Sequence, residues 1–581
     1  MPESGGMLSN GELQVVLGDS AEVTKLCFPY VGHESHANDT IHKIGIFVDG
    51  AISWLDGSDW RFKARLPHGA LIVNTVAVND KLGVLLEFDD AVSSEANVFI
   101  RSVHIVNLQP QARELKLFFH QAFRIGDGRE AVDTAYFVPK EHALLHYRGR
   151  RAFVAGARAY DESSFDQFSV GRFGEPGLDG TWRDAEDGKL MNCRQDNGNT
   201  DSIMRLSLSI PAYASQRVQY WLAAATSPRS ALSIHQAMLN GEVQTNLNKT
   251  ATHWHRWLNP SFKIGQKLLP NQRQTFINSL TTLRSSFDNR GAIITDADGI
   301  CSVHDAAYIL WPLIRLGYRD EALRFFTFSK QVLSSDGYLL PAYRADGAWG
   351  ELNGDWGNYP PIDPADTAMV LFVFAQYQSL HPRSAVLHDF YESLVVPMAN
   401  FLSQYEYSRD TYTISLSIAT LQAAGDLAEK VKDQENSVKW RTTSEDMRWA
   451  ATTLYNSEDK MFISDESSKL TMDGFFGAFM FGLVDLDDER LCGALETIDR
   501  RLKTSAGLYK RQESDSSASV IASLWMAQYY LETAKYDEAQ QIIAKISQKV
   551  SKTGLINQQN ENSLRSVSEF ISTLLDSITK A

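Results

Sequence analysis

The hydrophobic period of this 581-residue chain changes once, near residue 225, and the change separates two kinds of fold. Before it, apolar and polar residues alternate. Met204-Arg205-Leu206-Ser207-Leu208-Ser209-Ile210 has the two-residue period of a half-buried strand. Residues 99–106 and 115–119 behave similarly, and turn signals such as Asn79-Asp80 separate such runs. Beyond Pro228 the period is helical. A helix is expected over 231–257, broken at Asn259-Pro260. From Gln272 onward about twelve helical stretches follow, among them 304–316, 319–333, 366–380, 411–430, 516–533 and 536–550. Many strands across the first part predict a large antiparallel β-sandwich. Twelve helices in hairpin-like pairs are what an (α/α)6 barrel needs, with two rings of six hiding the apolar faces and leaving a funnel at one end. A repeat solenoid would show a fixed-length repeat, and none is evident. The expected organisation is a β-sandwich over 1–227, a helical linker over 228–265 and a six-hairpin barrel over 266–581.

Composition narrows the class of partner. The net charge of −15 argues against nucleic acid, whose phosphates it would repel. No apolar run approaches the roughly 20 residues that a membrane helix needs. Cys27, Cys193, Cys301 and Cys492 are far apart, which fits reduced thiols in a cytosol and neither a disulfide framework nor a zinc site. The N-terminus lacks a basic run followed by an apolar segment, so no signal peptide is visible and a cytoplasmic location is expected. No phosphate loop, metal-ligand cluster or nucleophile–histidine pair suggests a cofactor or a metal.

Motifs ordered along the chain carry a resemblance. Asn10-Gly11-Glu12, then Phe28-Pro29-Tyr30-Val31-Gly32 and His36, open it. Ser302-Val303-His304-Asp305-Ala306-Ala307-Tyr308 follows, then a loop holding Trp349, Glu351, Asp355, Trp356 and Asp363. Asp410-Thr411-Tyr412-Thr413 leads into a helix, and Gly554-Leu555-Ile556-Asn557-Gln558-Gln559 precedes Arg565-Ser566-Val567-Ser568-Glu569-Phe570. Together these segments resemble the glucoamylase-like enzymes of glycoside hydrolase family 15. The resemblance implies an oligosaccharide or α-glucoside as ligand and inverting hydrolysis. Such hydrolysis uses one protonated carboxyl and one carboxylate base about 6.5–9.5 Å apart.

The resemblance also locates departures. Where the family reads Trp-Pro-Arg-Asp, this chain has Ser302-Val303-His304-Asp305. Asp305 is retained as a ligand for sugar hydroxyls, and a helix N-cap would explain its position equally well. His304 donates one hydrogen bond but lacks the charged fork of Arg. Trp349, Glu351 and Trp356 are expected to wall the sugar, tryptophan faces stacking on its C–H faces and the carboxylate binding its hydroxyls. The family's Leu-Trp-Glu-Glu acid motif is absent, and Glu406 is the nearby carboxyl that could replace it; a solvated loop charge is its other reading. Gln558 occupies the family's base position, where an amide can position water but cannot deprotonate it. Glu561 is the local substitute base, with an exposed charge as its other reading. The expected function is thus a glucoamylase-like glycosidase with degenerate catalytic motifs; the alternatives are a catalytically inactive relative that binds carbohydrate, and an interaction scaffold.

Overall fold

Antiparallel strands occupy the chain as far as Ala225. The computed structural model describes residues 5–37, 42–67, 69–126, 133–160, 162–241, 243–350, 362–407, 409–464, 470–556 and 563–580. A six-stranded sheet runs in the order Leu178–Asp179, Gln167–Glu175, Thr200–Ile210, Arg113–Ala122, Ile44–Val48, Ala51–Trp54. A nine-stranded sheet has Ser215–Ala225 at its centre, between Arg151–Ala159 and Val98–Asn107. The alternating pattern sets the register: Leu206 lies opposite Leu117, and Leu208 opposite Leu115. Those leucines face Phe88, Val103 and Ile105 of the larger sheet in one core, and Phe119 stacks on Tyr220 at 4.5 Å. A one-residue slip would turn the whole apolar set outward.

Fifteen α-helices follow among the described residues. They are α1 (Pro228–Asn240), α2 (Val243–Gly265), α3 (Pro270–Arg284), α4 (Val303–Leu316), α5 (Arg319–Val332), α6 (Pro364–Leu380), α7 (Ser384–Phe390) and α8 (Val396–Gln404). Then come α9 (Thr411–Val431), α10 (Gln434–Ala450), α11 (Asp473–Met480), α12 (Glu489–Arg501), α13 (Val520–Glu532), α14 (Tyr536–Ser547) and α15 (Ser563–Lys580). One expectation needs correction. The helix expected over 231–257 is two helices, parted at the extended Gly241 (φ −110°, ψ 169°), and α2 runs through Pro260. A proline there removes one ladder hydrogen bond. Burial of Trp254 and Leu258 on the same helix offsets that cost, so the apolar face outweighs the breaker signal.

The chain divides into two compact units. One is Met1–Phe262 with Ile277–Phe287 and Ser551–Leu555; the other is Lys263–Phe276, Asp288–Val550 and Ile556–Ala581. In the second, α4, α6, α9, α11, α13 and α15 form an inner ring. Neighbours α4–α6, α6–α9, α9–α11, α13–α15 and α15–α4 pack directly. Phe476 of α11 stacks on Trp525 of α13 at 4.1 Å and closes the circle. Helices α6 and α13 are apolar on all sides, as a helix enclosed by others must be, and α13 is buried from Val520 to Leu531. Outer helices have one apolar stripe; α12 buries only Leu491, Ala494, Thr497 and Ile498. This is the (α/α)6 arrangement, and it gathers the first turns of its inner helices at one end.

Candidate functional site

The first turn of α4 carries the retained motif. Ser302 is the N-cap and its side chain accepts from the Asp305 backbone N–H, so the cap reading of Asp305 is corrected. Its carboxylate meets a partner 260 residues away: Arg565, in the first turn of α15, donates Nη1 to Asp305 Oδ1 at 2.7 Å. The same guanidinium donates Nε to Glu569 Oε1 at 3.3 Å and lies 3.4 Å over the Tyr308 ring. Glu569 also accepts from Trp525 Nε1 at 3.3 Å and from Gln528 Nε2 at 3.1 Å. One cation therefore sits between two carboxylates, with its flat face on an aromatic ring.

Beside this pair runs a chain of hydrogen-bonding side chains. His304 Nε2 is 2.8 Å from the Tyr412 hydroxyl, which lies 2.9 Å from the Tyr308 hydroxyl. His304 Nδ1 is 3.8 Å from Asp305 Oδ1. Burial pushes the Tyr308 and Tyr412 phenols upward, so both stay protonated at neutral pH and can donate. Burial also disfavours ionised Asp305, but the neighbouring His304 ring and the Arg565 charge outweigh it and hold the carboxyl well below its usual range. The Asp305 side chain keeps 26% of its exposure, whereas Arg565 keeps 7%. The anion faces outward and the cation lies behind it.

Asp366, in the first turn of α6, behaves oppositely. It is buried, its Oδ2 has no hydrogen-bond partner among the described residues, and burial followed by the charges of Asp363 and Asp305 raises its pKa well above the usual carboxyl value. Asp363 and Asp410 are N-caps, accepting from Ala365 N–H at 2.9 Å and Thr413 N–H at 3.0 Å.

Of the residues singled out in the sequence, the structure joins His304 and Asp305 in this network. Trp349 lies on an antiparallel bridge to Tyr343, whose other neighbour Cys301 leads into α4, and its ring is 67% exposed. Glu406 stands apart, exposed between α8 and α9, and no hydrogen bond or ion pair among the described residues ties it to the cluster. Glu351, Asp355, Trp356, Gln558 and Glu561 lie outside the described residues. Sequence reading missed Arg565, Glu569, Tyr308, Tyr412 and Asp366 as site residues. The signal for the first two was present: an Arg and a Glu four apart share one helix face and can pair with each other. No group of three or more His, Cys, Asp or Glu among the described residues could hold a metal, and no described helix is long and apolar enough to cross a membrane.

No protein-family model matches the chain. It is 23% identical over 568 residues to an uncharacterized glycosyl hydrolase, MJ1610, of Methanocaldococcus jannaschii, a match covering 90% of this chain and 87% of that protein. A bacterial glucoamylase solved in complex with acarbose superposes with a TM-score of 0.79 and 14% identity, covering 99% of this chain and 94% of that one. A putative kojibiose phosphorylase from the human microbiome superposes with a TM-score of 0.58 and 10% identity over 98% and 86% of the two chains. The fold is glucoamylase-like.

Proposed function

We propose that this chain is a glycoside-hydrolase-type protein that takes α-glucosides at the end of the barrel where the inner helices begin, and hydrolyses them by inversion with a weakened acid–base pair. One observation carries the reading: an ionised, outward-facing Asp305, flanked by the donors His304 and Tyr412, on a glucoamylase-like scaffold. A carboxylate of this kind accepts two sugar hydroxyls, and the neighbouring donors supply the complementary sense. The MJ1610 glycosyl hydrolase and the acarbose-bound glucoamylase support the ligand class. Asp305 itself cannot be the proton donor, because Arg565 keeps it ionised. The acid is drawn from Glu406 and Asp366, of which Asp366 has the pKa that burial raises, the direction a general acid needs. Glu561 is the remaining candidate for the base, and Trp349, Glu351, Trp356 and Gln558 belong to the sugar wall.

A second reading, sugar binding without turnover, is favoured by the amide of Gln558 at the position where a base is needed. Purified chain incubated with maltose and isomaltose decides between the two. Release of glucose as the β-anomer, lost by about 10²–10⁴-fold in one of Glu406→Gln, Asp366→Asn or Glu561→Gln, establishes the hydrolase. Binding without release, abolished by Asp305→Asn, establishes the binding protein. An absence of both sinks the two readings together.

A further inference from the structure

The inner ring contains a second cavity. It has a volume of about 390 Å³, within the range of small-molecule sites, and five of the six inner helices line it. Its innermost residues, Tyr308, Phe476 and Glu569, lie in the middle of α4, α11 and α15. Its outermost residues, Arg315, Glu532 and Lys580, lie in the last turns of α4, α13 and α15. It therefore opens at the end opposite Asp305, and the Arg565–Tyr308–Glu569 layer forms its floor.

The charges on its wall are paired. Arg315 Nη2 is 2.6 Å from Asp576 Oδ1, Lys580 pairs with Glu532, and Glu569 is held by Arg565 beneath the floor. Because Arg565 is shared with Asp305, Glu569 keeps the residual charge of the lining, and that charge is negative and disfavours an anion. What remains is aromatic surface and neutral hydrogen-bonding groups. Trp311 and Phe372 meet edge to face at 5.4 Å on one wall, and Phe476 adds a third ring. Gln376, Gln528 and Ser572 bring amides and a hydroxyl to the same space. Aromatic faces for C–H surfaces, together with neutral groups that both donate and accept, match a neutral polyhydroxylated molecule. We propose that this cavity is a second binding site, for a neutral mono- or disaccharide, separate from the site at Asp305.

The inference concerns binding at the far end of the ring and stands whether or not the chain hydrolyses glucosides. Calorimetric titration of the full chain with glucose and with maltose tests it, in parallel on Asp305→Asn, Ser572→Phe and Gln376→Leu. Ser572→Phe fills the cavity; Gln376→Leu removes an amide at nearly constant volume and serves if the larger substitution impairs folding, as judged by circular dichroism. The expected result is a sugar-binding event that survives Asp305→Asn and is weakened about tenfold or more by Gln376→Leu and by Ser572→Phe. Binding that disappears entirely in Asp305→Asn, or is unchanged in both far-end variants, overturns the second site, as does a complete absence of binding of either sugar. Failure of the reading at Asp305 gives the different pattern of binding insensitive to Asp305→Asn alone.

Discussion

Two buried arginine–carboxylate pairs, one in each compact unit, serve different ends. In the β-sandwich, Arg101 grips Asp90 through Nε and Nη2, both at 2.7 Å, and packs against Phe88 and Phe99. The side chains are 2% and 0% exposed, so no face is left for a ligand. In the helical unit, Arg565 divides its donors between Asp305 and Glu569, and the Asp305 carboxylate remains partly open. A guanidinium that clamps one buried carboxylate, with Nη2 also donating to the Ala21 carbonyl, locks a core. One divided between two carboxylates leaves each with lone pairs to offer. The pairing chemistry is the same; the exposure of the anion separates a closed core clamp from one whose carboxylate stays partly open.

The largest effect should come from breaking the closed pair. Asp90→Ala strands Arg101 in the core, and chemical denaturation followed by circular dichroism should register a loss of about 3–5 kcal/mol in the first unit. Arg565→Met should cost less, about 1–3 kcal/mol, because Asp305 can turn to water and buried Glu569 keeps its hydrogen bonds from Trp525 and Gln528. A loss from Arg565→Met equal to that from Asp90→Ala would erase the distinction. The same variant should weaken sugar binding at the Asp305 end, since the carboxylate loses the cation that orients it.

Acidity sharpens the contrast within the helical unit. Asp305 has a folded pKa below its unfolded value of about 3.9, so its contribution is fully present above that value and disappears as pH falls through the folded pKa. The stability gap between wild type and Asp305→Asn should thus stay constant from pH 7 to 5 and close only in strong acid. Asp366 has the opposite sign: its folded pKa is raised, so a cost develops as pH climbs past about 3.9. Asp366→Asn should gain stability relative to wild type as pH rises from 4 to 7, and a denaturation series across that range reads both trends. The smallest effect belongs to Trp349→Ala, within about 0.5 kcal/mol in stability, because its ring is exposed. A change in sugar affinity in that variant without a change in melting would assign Trp349 to the ligand wall; no change in either would remove it.

Much of the fold was legible because its signals are local. Alternation in 204–210 specified a strand and its buried face, and the three- and four-residue spacing of α12 specified an outer helix. Pro260 misled, since a breaker is read from one residue while the burial of Trp254 and Leu258 acts over the whole helix. At the site, the pairing of His304 and Asp305 in one segment was legible. The cap reading of Asp305 failed because Ser302 had already satisfied the helix end.

The sequence by itself determined where strands give way to helices and which faces are apolar, because periodicity acts over a few residues. Only the tertiary structure decided that Arg565 restores, from the last helix, a cation beside Asp305 where its own segment has His304. It alone also buried Asp366 beside other carboxylates, which raises its pKa, and set paired charges around an aromatic cavity. The physical reason is range: ionisation and pairing follow from desolvation and from neighbours that the closed ring of helices brings together, and neither is written in the spacing along the chain.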